Sequence, residues 1–535
     1  MQRRRFIALM VAMMGSRPAI AGFGQGDDVA APMRGLRPLQ VAPPSGEPFT
    51  LPLRVPGETG LLAERSVREV SAMQARIQSF PIFSGGATPL WHFRHQRDGV
   101  DAVNPTLRAE SGEFIDTTLE NRLGDDTTIH WHGLRVDEVN DGSGLYPVAH
   151  QQAYRYRFKL INRAGLYWYH AHPHFRTGEQ VHKGLAGMLL IDDDDDRALR
   201  ETLGLRIGDN DLPLMIADKQ VGRANVIKYG LGEEDWIGNR VVVNWVPEPY
   251  FDATPRLYRF RILNAANARV FRLAFLLRGK RLPFVLVGTD GGLLERPQHI
   301  DDVFIASAQR VDVLLDLSAI AEGEQVVMSS PAYDPMENEG LVDVIDPMLE
   351  HPGAVPVGAA LNLMQIRIGA GDGAKPIKLP ERLSHLPHLD EAEATTVRQL
   401  KLWVRDDGRW LINEWNFHLC GHDPVFTAKR GSKEVWEFSN ATRSMPHAMH
   451  AHGVLFRVLE RKDSPKQIRA LVVASGGRTA QDMGLLDTVL VWPGETVRVL
   501  ADFVQPYAGT QRYMLHCHNL EHEDQGMMVT FEVAD

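Results

Sequence analysis

Runs of alternating apolar and charged residues mark this chain more than any longer pattern. Tyr154, Tyr156, Phe158 and Leu160 interleave with Arg155, Arg157 and Lys159. Tyr258, Phe260 and Ile262 do the same with Arg259 and Arg261, and Val497, Val499, Ala501 and Phe503 repeat the pattern near the far end. A strand turns successive side chains to opposite faces, so period-two alternation bounded by Gly, Pro and Asn predicts half-buried strands of sandwiches or barrels. Arg256 to Asn264 and Arg310 to Leu317 predict strands of the same style. Helical stretches are few; Leu61 to Ile77 is expected to be one. The expected fold class is all-β.

The two ends of the chain repeat one order of motifs. His130-Trp131-His132-Gly133 is followed by His170-Ala171-His172 and then Gly187-Met188. His450-Ala451-His452-Gly453 is followed by His516-Cys517-His518 and then Gly526-Met527. The first motif recurs after 320 residues, which leaves room for a middle unit of about 160 residues, an ordinary domain size. Three similar β-domains are therefore expected, over 45–200, 205–370 and 397–535, with a Gly-, Pro-, Glu- and Lys-containing linker at 371–396.

Composition narrows the classes. With 535 residues, the chain is too long for one ordinary domain. It is 44% hydrophobic and 24% charged, which excludes a fibrous, disordered or multi-span membrane protein. A net charge of −10, from 58 basic and 68 acidic residues, offers no basic face for nucleic acid. Two cysteines, Cys420 and Cys517, make no disulfide framework.

Arg3-Arg4-Arg5-Phe6, an apolar stretch from Ile7 to Gly15 and Ala19-Ile20-Ala21 read as a twin-arginine-type export signal over 1–21. A periplasmic or secreted location follows. Residues 22–48 look like a loose leader. No later run of about 18 apolar residues predicts a membrane span.

Histidine is the outlier. Chance placement of 21 His among 535 residues gives only about one H-x-H pair, yet four occur in a repeated order. On a strand such a pair aims two imidazoles at one place, about 6.6 Å apart along the chain. That favours metal sites over satisfied core histidines. In His516-Cys517-His518 the sulfur points away from both neighbours, so one short covalent stretch joins two metal sites. Two His, one Cys and a weak Met form the ligand set of a blue-copper electron-transfer centre, and His447, His522 and Met527 stand near in sequence. Zinc would more naturally take a closed set without a thioether.

T-I-H-W-H-G at 128–133, Y-W-Y-H-A-H at 167–172, H-A-M-H-A-H-G at 447–453 and H-C-H-N-L-E-H-E-D-Q-G-M at 516–527 together resemble the multicopper oxidases, in their bacterial three-domain laccase-like and cuprous-oxidase branch. The resemblance covers about 50 to 533. It implies three consecutive cupredoxin-like Greek-key β-sandwich domains and four copper ions. Carried over by position, His447, Cys517, His522 and Met527 bind the type 1 copper. His130 and His450 bind type 2. The type 3 pair takes His132, His170 and His518 on one ion and His172, His452 and His516 on the other. The cluster of three then lies between the first and third domains. Asp141 and Glu523 match acidic positions that supply protons in the family.

The implied reaction couples four one-electron oxidations of a small donor to reduction of O2 to two waters. The donor is expected to be a phenol, an aromatic amine or Cu(I), and the enzyme a monomer. Ala448 replaces the family's usual Pro, which alters loop stiffness more than ligation. The Met-rich insert of cuprous oxidases has only scattered counterparts here, Met328, Met336, Met348 and Met364, which read as loop and core residues. His174 and His182 are expected to be supporting or surface residues, and Asp192 to Asp196 a solvated loop between domains. His418-Leu419-Cys420-Gly421-His422 reads as a buried thiol with exposed histidines, with an extra copper site as the alternative. A copper-storage protein needs no sulfur–imidazole wire, and a copper nitrite reductase does not account for four H-x-H pairs.

Overall fold

The computed structural model describes residues 48–232, 235–339, 353–371, 378–442 and 444–535. The export signal, most of the leader and Met348 lie outside them.

Strands dominate and pair into three successive two-sheet sandwiches. The first combines a six-stranded sheet, centred on Thr88–Arg97, Ala72–Phe80 and Phe114–Asn121, with a four-stranded sheet that contains Gly165–His170 and Ala186–Asp192. The middle one joins a seven-stranded sheet, which holds Asp211–Lys219, Leu257–Asn264 and Arg310–Asp316, to a six-stranded sheet. The last has two five-stranded sheets, and one of them runs Pro424–Lys429, Met528–Ala534, Gln511–Cys517, His447–Ala451, Thr488–Val491. The alternations read from sequence lie on strands: Ala153–Lys159, Leu257–Asn264 and Thr496–Asp502.

Each sandwich encloses its own apolar core, and two further apolar clusters weld neighbours together. Leu166, Trp168, Met188 and Leu190 of the first pack on Met215, Ala217, Trp245 and Leu263 of the middle. Val270, Phe304 and Tyr333 of the middle pack on Ala448, Leu490 and Trp492 of the last. The first and last sandwiches also touch directly: Tyr513 Oη donates to Val136 O at 2.7 Å, and Arg512 Nη2 donates to Glu138 at 2.6 Å. The first and last domains therefore meet, and the middle domain braces both.

Two expectations are corrected. Leu61 to Ile77 is not helical. It holds the short strands Gly60–Leu61 and Glu64–Ser66, then enters the long strand Ala72–Phe80. Met73 and Ala75 are buried on one face, while Gln74 and Arg76 point the other way. Pairing on both sides, with Thr88–Arg97 and Phe114–Asn121, overrides local helix preference. Asp192 to Asp196 is not a solvated loop. Asp192 ends a strand, and Asp193 caps the helix Asp194–Leu203 by accepting from Asp196 N at 2.9 Å. Asp196 is buried between Arg259 and Arg261 at 2.7 and 3.0 Å. Arg259 and Arg261 on their strand are thus buried ion-pair partners rather than a wet face.

Met328 and Met364 face each other across paired strands inside the middle core, and Met336 is half-buried. None of these three stands in an exposed methionine loop.

Candidate metal centre

Strand pairing brings the histidine motifs together. His130 and His170 exchange both backbone hydrogen bonds, at 2.8 and 3.1 Å. In the last domain His450 lies directly opposite His516, and Met449 opposite Cys517. The two ends repeat one construction, and the domain contact sets them face to face.

Alternation along His447–Ala451 and Gln511–Cys517 then separates two centres. Met449 and Cys517 point into the core of the last domain, whereas His450 and His516 point toward the first. In the core, Cys517 Sγ lies 3.4 Å from His447 Nδ1 and 3.6 Å from His522 Nδ1, and the two nitrogens are 3.2 Å apart. The centre of that triangle is about 2 Å from each atom, a metal–imidazole bond length. The far nitrogens face polar side chains. His447 Nε2 donates to Ser444 Oγ at 2.9 Å, and His522 Nε2 lies 3.5 Å from Asp235 Oδ1. Trp410 stacks on the His522 ring at 4.0 Å and fixes its plane. Met527 is fully buried beside them: Cys517 N donates to Met527 O at 3.0 Å, and Met527 N to His522 O at 2.8 Å. Burial pushes the Cys517 thiol up and lowers His447 to about 3. Without a cation the sulfur stays protonated; a bound metal would deprotonate it.

On the other side eight buried rings converge. Three all-histidine ligand-atom groups fall within 4.8 Å, namely His130, His132 and His450; His132, His170 and His518; His172, His452 and His516; a fourth joins His130 and His452 to Asp141. His452 Nε2 is 3.1 Å from His516 Nε2, and His172 Nε2 is 3.4 Å from it. Burial first, and neighbouring rings second, hold His130, His132, His452 and His518 well below the usual imidazole range. Neutral imidazoles present lone pairs to one another, a repulsive arrangement unless a cation sits between them. His130, His450 and His518 each have a buried Nε2 without a protein partner, which fits a metal.

On every ring but His172 the opposite nitrogen is hydrogen-bonded, and this sets which atom faces inward. His130 Nδ1 donates to Asp141 O and His450 Nδ1 to Asp487 O, each at 2.8 Å. Each of these aspartates then reaches across the domain boundary. Asp141 Oδ2 accepts from His452 Nδ1 at 2.8 Å, and Asp487 Oδ1 from His132 Nε2 at 3.2 Å. Glu523 sits 3.1 Å from His516 Nδ1 and 3.5 Å from His172 Nδ1. His518 Nδ1 donates to Ser307 Oγ at 3.2 Å. Burial raises Asp141 to about 8; at Glu523 burial pulls upward too, but His172 and His516 outweigh it and hold the carboxyl low.

All twelve residues singled out from sequence, with Asp141 and Glu523, fall at these two places. Asp487, Ser307, Ser444, Asp235 and Trp410 were not anticipated. Asp141 follows His130 by 11 residues, but Asp487 follows His450 by 37, so the repeat gave no offset to find it. His418, Cys420 and His422 join no metal-competent group among the described residues: His418 donates to Asp524 O at 3.1 Å and stacks on Phe175. His182 accepts from Gln220 N at 3.1 Å, a tie between the first and middle domains, and His174 lies against His422 and Phe417.

Three stacked sandwiches with a sulfur–imidazole centre beside a histidine cluster define a copper-dependent oxidoreductase of the cupredoxin type. Multicopper oxidase family profiles match residues 99–196, 253–338 and 391–535. A laccase of Bacillus stratosphericus is 32% identical over 83% of this chain and 91% of its own length; a laccase of Bacillus subtilis is 30% identical over 76% and 80%. The crystal structure of the multicopper oxidase McoA from Aquifex aeolicus superposes with a TM-score of 0.78 at 31% identity, covering 90% of this chain and 99% of that one. The chain belongs to the multicopper oxidase family. It is a laccase-like oxidoreductase that passes electrons from a reducing substrate to O2, and its histidine clusters fit copper.

Proposed function

We propose that His447, Cys517, His522 and Met527 hold a single type 1 copper, that His130 and His450 hold type 2, and that the two triples, His132/His170/His518 and His172/His452/His516, hold a type 3 pair. When bound, these ions collect electrons one at a time and deliver four to O2. The protein's part is to fix the donors, shield them from water and manage protons. Cys517 is covalently continuous with His516 and His518, so the electron route between the centres is a few bonds of strand. That adjacency, with the sulfur on one face and two imidazoles on the other, is the observation that carries the reading.

Asp141 and Glu523 support proton supply at the cluster. Each carboxylate contacts a ligand ring, and Asp141 Oδ1 has no hydrogen-bond partner. The donor is a phenol or aromatic amine. Cu(I) as physiological donor is disfavoured by Met328 and Met364, which are spent on the middle core. Three domains over 45–200, 205–370 and 397–535, export as a folded protein through the twin-arginine-type leader, a periplasmic or secreted location and a monomeric state complete the proposal. Among the described residues no helix is long and apolar enough to cross a membrane.

Copper analysis with electron paramagnetic resonance tests it. Four coppers per chain, with one type 1 and one type 2 signal, are expected. A protein that loads copper exchangeably and takes up no oxygen would point to storage instead.

A further inference from the structure

Among the described residues the middle domain supplies no ring to the histidine cluster, yet it reaches the cluster twice through one segment, Ser307-Ala308-Gln309-Arg310. The Ser307 hydroxyl donates to Ala266 O at 2.7 Å, which leaves its oxygen to accept from His518 Nδ1 at 3.2 Å. Arg310 forks Asp487, with Nη1 to Oδ1 at 2.9 Å and Nη2 to Oδ2 at 2.5 Å. Asp487 Oδ1 in turn accepts from His132 Nε2 at 3.2 Å. His132 and His518 belong to the same triple.

The fork is over-determined. Arg310 spends its other donors on Leu166 O of the first domain at 3.1 Å and on Ala308 O and Asp290 O of the middle domain, both at 3.0 Å. All five guanidinium N–H groups are used, across three domains. Asp290 accepts from Arg310 N at 2.7 Å and from the amides of Asp487 and Thr488 at 3.3 Å each. Gln309 Nε2 adds a bond to Thr488 O at 2.9 Å. Ser307, Asp290, Arg310 and Asp487 are all buried. Gly133, the last residue of the first histidine motif, lies against the same pair. A Cβ there would fall 2.4 Å from Asp487 Oδ2 and 2.8 Å from Arg310 Nη2, at a backbone φ of +81°. That motif's glycine is therefore explained by the ion pair and not by the histidines alone.

A tie that merely held domains together would have no reason to end on two rings of one triple. We propose that Ser307 and Arg310 are positioning residues by which the middle domain sets the tautomer and aim of His132 and His518, so that one metal of the cluster depends on a domain that contributes none of its ligands. This rests on the ligand assignment above. The two triples then differ in kind. His452 leans on Asp141, and His172 and His516 lie beside Glu523 with His516 Nδ1 also donating to Cys517 O at 3.1 Å, whereas His132 leans on an arginine-neutralised aspartate, His518 on a hydroxyl and His170 on a backbone carbonyl.

The test uses copper-loaded full-length enzyme carrying Ser307→Ala, Arg310→Lys or Arg310→Gln. A chelator titration is read against copper per chain, blue absorbance and paramagnetic resonance. Loss of such a supporting hydrogen bond lowers metal affinity about 10–100-fold. Cluster copper is expected to leave at correspondingly lower chelator in Ser307→Ala and Arg310→Gln, with the blue band unchanged and Arg310→Lys intermediate. Unchanged titrations in Ser307→Ala and Arg310→Lys would overturn the proposal. So would loss of blue and cluster copper in parallel, because the segment would then only hold the protein together. If Arg310→Gln does not fold, Ser307→Ala, which removes one oxygen, decides. A wild-type enzyme that binds only the blue copper would instead refute the ligand assignment.

Discussion

His447, Cys517 and His522 come from one domain and meet in its own core, whereas the eight rings on the other side come from two domains and lean on a third. The donors of the sulfur centre are all in place once the last sandwich folds, although Asp235 of the middle domain lies 3.5 Å from His522 Nε2. The cluster can form only when all three domains are docked. A substitution in the core of the last domain should therefore strike both centres, and one at a domain boundary should strike the cluster alone.

The largest break comes at the shared residue. Cys517→Ser is expected to abolish the blue absorbance and reduce oxidase turnover to background, measured by absorption and oxygen uptake; a blue, active variant would separate Cys517 from the metal. Asp487→Ala comes next. It removes the forked partner of the buried Arg310 charge and leaves it the longer Asp290 contact at 3.5 Å, a loss approaching the roughly 3–5 kcal/mol of a broken buried pair, and it frees His132. Thermal unfolding should shift down and copper content fall, with the blue band kept in the folded fraction. Equal loss of blue and cluster copper would erase the distinction between the centres.

Asp141→Asn sharpens the comparison within the cluster. Reoxidation by O2 should slow about 10²–10⁴-fold, the range for a lost proton-transfer group, while substrate still reduces the blue copper at the wild-type rate. Single-turnover stopped flow reads both steps, and an unchanged reoxidation rate would reject the role of Asp141.

The smallest effect is in pH. Burial keeps the thiol of Cys517 protonated in the metal-free protein, so binding copper there releases a proton. Apparent affinity at the sulfur centre should then rise about tenfold per pH unit. His130, His132, His170, His452 and His518 are lowered by burial and are already neutral near pH 6, so their rings release none. Copper titrations of the metal-free enzyme between pH 5 and pH 7 should be steep for the blue band and flatter for the remaining copper. Parallel slopes would contradict this difference.

The chain order alone displayed the strands and the donors. Alternation at 154–160 and 257–262 is a local signal, and an H-x-H pair on a strand aims its rings whatever the rest of the molecule does. The same locality explains why Cys517 could be separated from its neighbours on paper. The misread segments had their outcome decided elsewhere. Ala72–Phe80 is a strand because two neighbours pair with it, and Asp196 is buried because Arg259 and Arg261 come from another domain to meet it. Asp487, Ser307 and Arg310 were invisible for the same reason. An aspartate, a serine and an arginine carry no pattern of their own, and their partners His132 and His518 lie 355 and 211 residues away. Sequence fixes what each residue can donate or accept; only the docking of three domains decides which nitrogen of each ring is held and which is left for the metal.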